Sequence, residues 1–189
     1  GGVFKATEGL YDQFGEYRVL DTPLAESAIA GVGIGAAMYG MRPVAEMQFA
    51  DFIMPAVNQI ISEAARIRYR SNNDWNCPIV IRAPYGGGVH GALYHSQSVE
   101  AIFANQPGLK IVMPSTPYDV KGLLKAAIRD NDPVLFFEHK RAYRLLKGEV
   151  PEEDYVLPIG KADVKREGSD VTVMTYGLCV HFALQAAEK

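Results

Sequence analysis

Residues 109–138 read LKIVMPSTPYDVKGLLKAAIRDNDPVLFFE. Two β-rich runs, Leu109–Met113 and Val134–Glu138, flank a helical stretch from Tyr118 to Arg129. A strand, a helix and a second strand in so little chain form a parallel pair joined by a crossover helix. The same rhythm extends outward. Toward the N-terminus lie strand-like runs at Tyr17–Leu20, Arg42–Gln48 and Pro78–Arg82. Between them fall helical stretches at Leu24–Tyr39 and Asp51–Arg70, and a further helix near Ser98–Asn105 follows. In the second, Phe52, Ala56, Ile60, Ala64 and Ile67 recur at spacings of three and four, the mark of an amphipathic helix. The predicted fold is α/β, a three-layer open sheet, mainly parallel, with helices on both faces.

Composition narrows the class. The chain has 189 residues, 48% hydrophobic and 22% charged, with 19 basic against 22 acidic side chains. That balance excludes a disordered chain and argues against a nucleic-acid partner, which needs a clustered basic surface. The run Arg66–Arg70 fits the solvated end of a helix. Cys77 and Cys179 lack metal-ligand spacing, so a reducing compartment without a zinc site is expected. No membrane span is expected, because the uncharged run Ser27–Met41 falls short of the ~20 residues a bilayer needs. Three parts are predicted: an α/β domain over 1–146, a linker over 147–169, and the opening of a further domain over 170–189, with a strand at Asp170–Tyr176 and a helix starting at Val180. The chain begins with Gly1 and stops at Lys189 inside a predicted helix, so a piece of a longer protein is expected.

In open parallel sheets ligands bind beyond the carboxyl ends of the strands. The loops at 21–26, 49–52, 83–95, 114–117 and 139–143 should converge there, carrying His90, His95 and His139. Glu26, just inside a helix, serves either as a complement to the helix N-terminus or as a buried acid beside a cofactor. Gly31, Gly33 and Gly35 lack the spacing of a dinucleotide fingerprint. Ser27, Gly31 and Gly35 instead share one stripe that admits close helix packing, with a subunit contact as one use. The Gly-rich run Tyr85–Gly91 is not followed by Lys or Ser/Thr in phosphate-loop spacing, and His90 within it and His95 just beyond it are open between structural and catalytic roles. Asp130 and Asp132 fit an Asx turn, or an oxygen site for a hard cation.

Four motifs, in order, carry a family resemblance. They are Asp21-Thr-Pro-Leu-Ala-Glu26, Glu46-Met-Gln-Phe-Ala-Asp51, His90-Gly-Ala-Leu-Tyr-His95-Ser-Gln, and Gly122-Leu-Leu with Ile128-Arg-Asp-Asn-Asp-Pro133. Together they resemble the β subunits of thiamine-dependent 2-oxo acid dehydrogenases, and the His90–His95 stretch looks most like the branched-chain members. The resemblance implies the pyrimidine-binding half of a thiamine diphosphate site, with an α subunit holding the diphosphate and magnesium. It implies a tetramer of two α and two β chains, a lipoyl-bearing acyltransferase as acyl acceptor, and a bacterial cytoplasm or mitochondrial matrix as the setting. By that resemblance Glu26 hydrogen-bonds the pyrimidine ring and activates the cofactor, and His95 assists acyl transfer. Leu24, Gln48 and Phe52 join Glu26 in binding the cofactor, with Phe52 standing where some relatives carry Tyr. Asp130 and Asp132, with the carbonyls of Ala127 and Ile79, match a structural potassium site. Pyruvate or acetoin chemistry is the alternative within the family, and a non-catalytic α/β binding module is the alternative outside it.

Overall fold

A computed structural model describes residues 2–189. The elements in chain order are α1 (Leu10–Phe14), α2 (Glu26–Met38), β1 (Val44–Glu46), α3 (Ile67–Arg70), β2 (Val80–Tyr85), α4 (Glu100–Ala104), β3 (Lys110–Val112), α5 (Pro117–Arg129), β4 (Val134–His139), α6 (Ala142–Leu145) and α7 (Cys179–Ala186). A 3₁₀ segment (Ala50–Ala56) and a π segment (Gln59–Ala64) lie between β1 and α3, and a 3₁₀ turn (Leu93–His95) follows β2. The four strands form one parallel sheet in the order β1-β2-β4-β3.

Strand alternation divides the core in two, as the period of two requires. Ile79, Ile81, Ala83, Leu135 and Phe137 face α2 and the segment from Ala50 to Ile67. Val80, Val134 and Phe136, with Val112, face Leu123, Leu124 and Ala127 of α5. The sheet is thus covered on both faces, as expected. Helix α5 starts sharply because Thr116 Oγ1 accepts from Asp119 N–H (3.1 Å) while Asp119 Oδ2 accepts from Thr116 N–H (3.0 Å), with Pro117 in the first turn.

Three expectations change. The single helix over Asp51–Arg70 is broken into 3₁₀, π and α segments, because Pro55 has no N–H to close an α turn. Its apolar stripe survives the break: Ala56, Ile60, Ala64 and Ile67 are all buried. Tyr17–Leu20 and Asp170–Tyr176 are not strands; Tyr17 and Met174 are over 90% exposed, and neither run has a strand to pair with. Within the chain the close approach of α2 falls on Gly33, where a Cβ would lie 2.8 Å from Ile79 Cδ1, whereas the stripe residues Gly31 and Gly35 pack against no helix of this chain and face open space.

The expected linker carries no helix or strand, yet it is strapped onto α5. Leu157 N–H donates to Gly122 O (3.2 Å), Tyr155 stacks on Tyr118 (4.6 Å), and Asp154 pairs with Lys125 and Arg129. Helix α7 docks through His181 Nε2 on Ser115 O (2.7 Å). Among the described residues no helix is long and apolar enough to cross a membrane.

The tightest backbone approach gives a test. Gly108 has φ +95°, and a Cβ there would lie 1.9 Å from the Ala65 carbonyl oxygen. Gly108→Ala is therefore expected to destabilise by about 3 kcal/mol or more in urea unfolding. Gly31→Ala, inside a helix and facing open space, is expected to stabilise by about 0.5–1 kcal/mol.

Candidate active site

The start of α2, the loop after β1 and the 3₁₀ segment enclose an open cleft of about 390 Å³. Leu24, Glu26, Gln48, Asp51, Phe52 and Pro55 line it. All four residues expected to bind a cofactor are therefore brought together. Glu26 lies in the first turn of α2, half-buried, where the helix dipole suits its charge. Of the two readings of this acid, full burial is not what the fold provides. Leu24 is largely exposed beside it, so one wall of the cleft is an uncovered apolar surface.

His95 stands next to this cleft. Its ring packs edge-on against Phe49 (4.6 Å) and Phe52 (5.4 Å), and its Nδ1 is buried without a hydrogen bond. His90 sits exposed in the same loop, in the left-handed region with φ 58°, and does not join His95 in the aromatic cage. His139 ends β4 against Tyr85 (5.0 Å), where a Cβ on Gly86 would strike its ring. His181 is occupied with Ser115, away from the cleft.

Two residues given no role from sequence are buried here. Asp51 Oδ1 accepts from the N–H groups of Ser96 and Gln97, both at 3.1 Å. Lys140 Nζ lies 3.9 Å from Asp51 Oδ2 and 5.2 Å from the Phe49 ring centroid. Burial pushes the Lys140 ammonium below its ordinary pKa, and Asp51 opposes the shift. The available signal was Lys140 directly after the apolar strand ending at Glu138-His139. Below them Arg82 joins Glu46 (2.9 Å) and Glu138, and Tyr143 donates to Glu138 (2.7 Å). Burial works against the Arg82 charge, but Glu138, Tyr143 and Glu46 outweigh it and raise its pKa.

The expected potassium ligands lie elsewhere, near the start of β4. Lys110 Nζ takes both Asp130 oxygens (2.8 Å each), and Arg68 Nε takes Asp132 Oδ1 (2.6 Å). The Ala127 and Ile79 carbonyls accept from Asp130 and Val134 N–H. The charge of the two carboxylates is met by the chain's own cations. Among the described residues no group of three or more His, Cys, Asp or Glu side chains is placed to hold a metal ion.

The sequence profile described as the transketolase pyrimidine-binding domain matches residues 1–145. The chain belongs to this family. A second profile, the transketolase C-terminal domain, matches residues 160–189. The chain is 90% identical over all 189 residues to the 2-oxoisovalerate dehydrogenase subunit beta of Bacillus subtilis (strain 168), covering 58% of that protein. It is 55% identical, again over its whole length and 58% of the relative, to the pyruvate dehydrogenase E1 component subunit beta of the same strain. The chain thus spans well under two thirds of the length of these relatives. A solved structure titled "Split gene transketolase, inactive beta4 tetramer" superposes with a TM-score of 0.75 at 24% identity, over 97% of this chain and 56% of the other. It shares the fold.

The cleft chemistry fits an aminopyrimidine. A flat heterocycle needs apolar walls, supplied by Leu24, Phe52 and Pro55, and polar groups at its edge, supplied by Glu26 and Gln48.

His139 gives the site a pH signature. Burial, then Lys140 and Arg141, hold its imidazole below the ordinary pKa, with Glu100 opposing. Nδ1 accepts from Arg141 N–H (3.2 Å), which fixes the neutral tautomer protonated at Nε2. A depressed histidine contributes stability above its unfolded pKa of about 6.5, lost as pH falls through the folded value. His139→Gln should therefore flatten the rise of unfolding free energy with pH just below about 6.5; an unchanged slope in urea titrations would refute this.

Proposed function

We propose that the chain is the pyrimidine-binding part of the β subunit of a thiamine diphosphate-dependent dehydrogenase of branched-chain 2-oxo acids. The observation carrying this is 90% identity over every residue to a 2-oxoisovalerate dehydrogenase β subunit, against 55% to its pyruvate counterpart. The cleft, with apolar walls and with Glu26, Asp51 and the Gln48 amide among its lining, supports the cofactor. When bound, thiamine diphosphate supplies a nucleophilic carbon and the electron sink for decarboxylation. Glu26 holds the proton at the pyrimidine ring nitrogen, Gln48 orients the ring edge, and Leu24 and Phe52 press its faces and exclude water. The family resemblance assigns the diphosphate and magnesium to an α subunit, and these 189 residues hold no Gly-Asp-Gly followed by Asn-Asn at the spacing of that motif.

The overall reaction releases carbon dioxide and passes the acyl group to one sulfur of a lipoyl disulfide on the acyltransferase. The acyl carbon is oxidised, the disulfide is reduced, and its second sulfur takes a proton. His95, beside the cleft, holds that proton. Assembly as two α and two β chains, in a reducing cytoplasm or mitochondrial matrix that suits the unpaired Cys77 and Cys179, completes the reading.

The direct experiment co-expresses the full-length β chain with its α partner and compares decarboxylation of 2-oxoisovalerate and pyruvate. A kcat/KM about 10-fold or more in favour of 2-oxoisovalerate is expected, the discrimination that extra methyl groups confer in an apolar pocket. Equal or greater activity on pyruvate overturns the branched-chain assignment. Failure to bind thiamine diphosphate overturns the enzyme reading in favour of a binding module.

Glu26→Gln should slow decarboxylation by about 100-fold or more, the scale of an acid–base group, with the thermal midpoint unchanged. Near-normal turnover would remove the role given to Glu26.

A further inference from the structure

The loop bearing His95 is closed at its base, where Gly86 N–H donates to Gln97 O (2.9 Å). Within it the backbone is strained: His90 (φ 58°) and Ala92 (φ 56°) both sit in the left-handed region that non-glycine residues avoid. The 3₁₀ turn Leu93–His95 has no side-chain cap. The bond that ties the returning limb to the sheet end from another element is the carboxylate of Asp51, whose Oδ1 receives both Ser96 N–H and Gln97 N–H at 3.1 Å. Asp51 Oδ2 and Lys140 Nζ face each other at 3.9 Å with side chains 1% and 0% exposed, and neither atom has a hydrogen bond. Lys140 also faces the Phe49 ring that carries the edge of His95.

We propose that Asp51 is a positioning residue for His95: paired with the buried ammonium of Lys140, its carboxylate clamps Ser96 and Gln97 and sets the imidazole between Phe49 and Phe52. A strained loop keeps one geometry only if something outside it pays the cost, and this clamp is placed to do so. Lys140 in turn is a buried cation with Asp51 as its acid partner, so its charge is acceptable only while Asp51 is ionised. The pair is a unit, and the loop is what it holds. The inference rests on the proposed function only for the role of His95 in acyl transfer.

The test uses the full-length β chain assembled with its α partner. Hydrogen exchange measured by mass spectrometry on peptides spanning residues 86–97 reads the clamp. The two half-reactions, decarboxylation with an artificial electron acceptor and acylation of a lipoyl domain, read its consequence. Asp51→Ala should abolish amide protection at Ser96 and Gln97. Acyl transfer should fall by about 100-fold, the scale of a catalytic group displaced by an ångström. That loss should exceed the loss in decarboxylation by about tenfold. Asp51→Asn keeps the acceptor oxygen but strands the Lys140 charge, and should also lose protection. The double variant Asp51→Asn with Lys140→Met removes both charges, keeps the acceptor, and should recover protection and most of the transfer rate.

Unchanged protection in Asp51→Ala, equal losses in the two half-reactions, or a double variant no better than Asp51→Asn each overturn the proposal. If Asp51→Ala does not assemble, the comparison of Asp51→Asn with the double variant decides it alone. Should the exchange results hold while the unmodified enzyme turns over no 2-oxo acid, the clamp stands and the functional reading falls.

Discussion

The pairing of β2 with β4 is the constraint from which the rest of the structure follows. Six residues of each strand lie in parallel register, from Val80 opposite Val134 to Tyr85 opposite His139. All six of β2 and five of β4 are buried, so both faces need cover and each polar side chain in them needs a partner. The first demand places α2 and the broken segment after β1 on one side and α5 on the other. The second explains why Arg82 appears between Glu46 and Glu138, on the neighbouring strands to either side, with Tyr143 completing the group. The register also extends past the formal strand, since Lys140 N–H donates to Tyr85 O (3.0 Å). Lys140 is thereby held with the rigidity of a strand residue, at the end where the site opens.

The position of the cleft depends on how closely α2 settles onto the sheet. Gly33 lets the helix descend until its backbone almost meets Ile79, with Ala45 beneath it. A larger residue there would lift the helix and carry Glu26, seven residues earlier on the same rod, away from Gln48 and Phe52. Pro55 contributes on the opposite wall. It lies inside the 3₁₀ segment, which it keeps from continuing as a regular α-helix, and in that segment Asp51 is buried while Phe52 lines the cleft.

Much of this was readable from sequence, and the exceptions share a cause. The runs at 109–113 and 134–138 marked true strands because apolar β-branched and aromatic residues coincide there with room for a crossover helix. Tyr17–Leu20 and Asp170–Tyr176 have the same local character without a strand to pair with, and pairing is nonlocal. The periodicity of 52–67 correctly named the buried side chains but not the helix type, which one proline decided. Glu26, Gln48, Leu24 and Phe52 could be grouped through motif order. Asp51 and Lys140 could not, because they lie 89 positions apart and neither carries a local pattern announcing its partner. The carboxylates at 130 and 132 look alike to a cation or to Lys110; only the tertiary placement of Lys110 and Arg68 distinguishes the two.

Two buried charge systems at the same end of the sheet differ in a way that separates structure from function. Arg82 has a close acid partner on each arm: Nη2 bonds Tyr143 and pairs with Glu138, Nη1 lies 2.9 Å from Glu46 Oε2 although it makes no hydrogen bond, and Tyr143 in turn bonds Glu138. Such a group rigidifies its surroundings and leaves little stored cost. Asp51 and Lys140 are as deeply buried, yet they stop 3.9 Å apart, with Asp51 Oδ2, Lys140 Nζ and the nearby His95 Nδ1 all lacking hydrogen bonds. Native proteins keep few unmet buried polar atoms, and local rules are broken mainly where function requires it. Of the three, Lys140 Nζ and the His95 ring both face the Phe49 ring, and Asp51 Oδ2 faces Lys140, so the unmet atoms form one cluster beside the cleft. A stability role would have closed the ion pair. An open pair beneath a strained loop suits the positioning role proposed for Asp51, with the His95 imidazole held between Phe49 and Phe52.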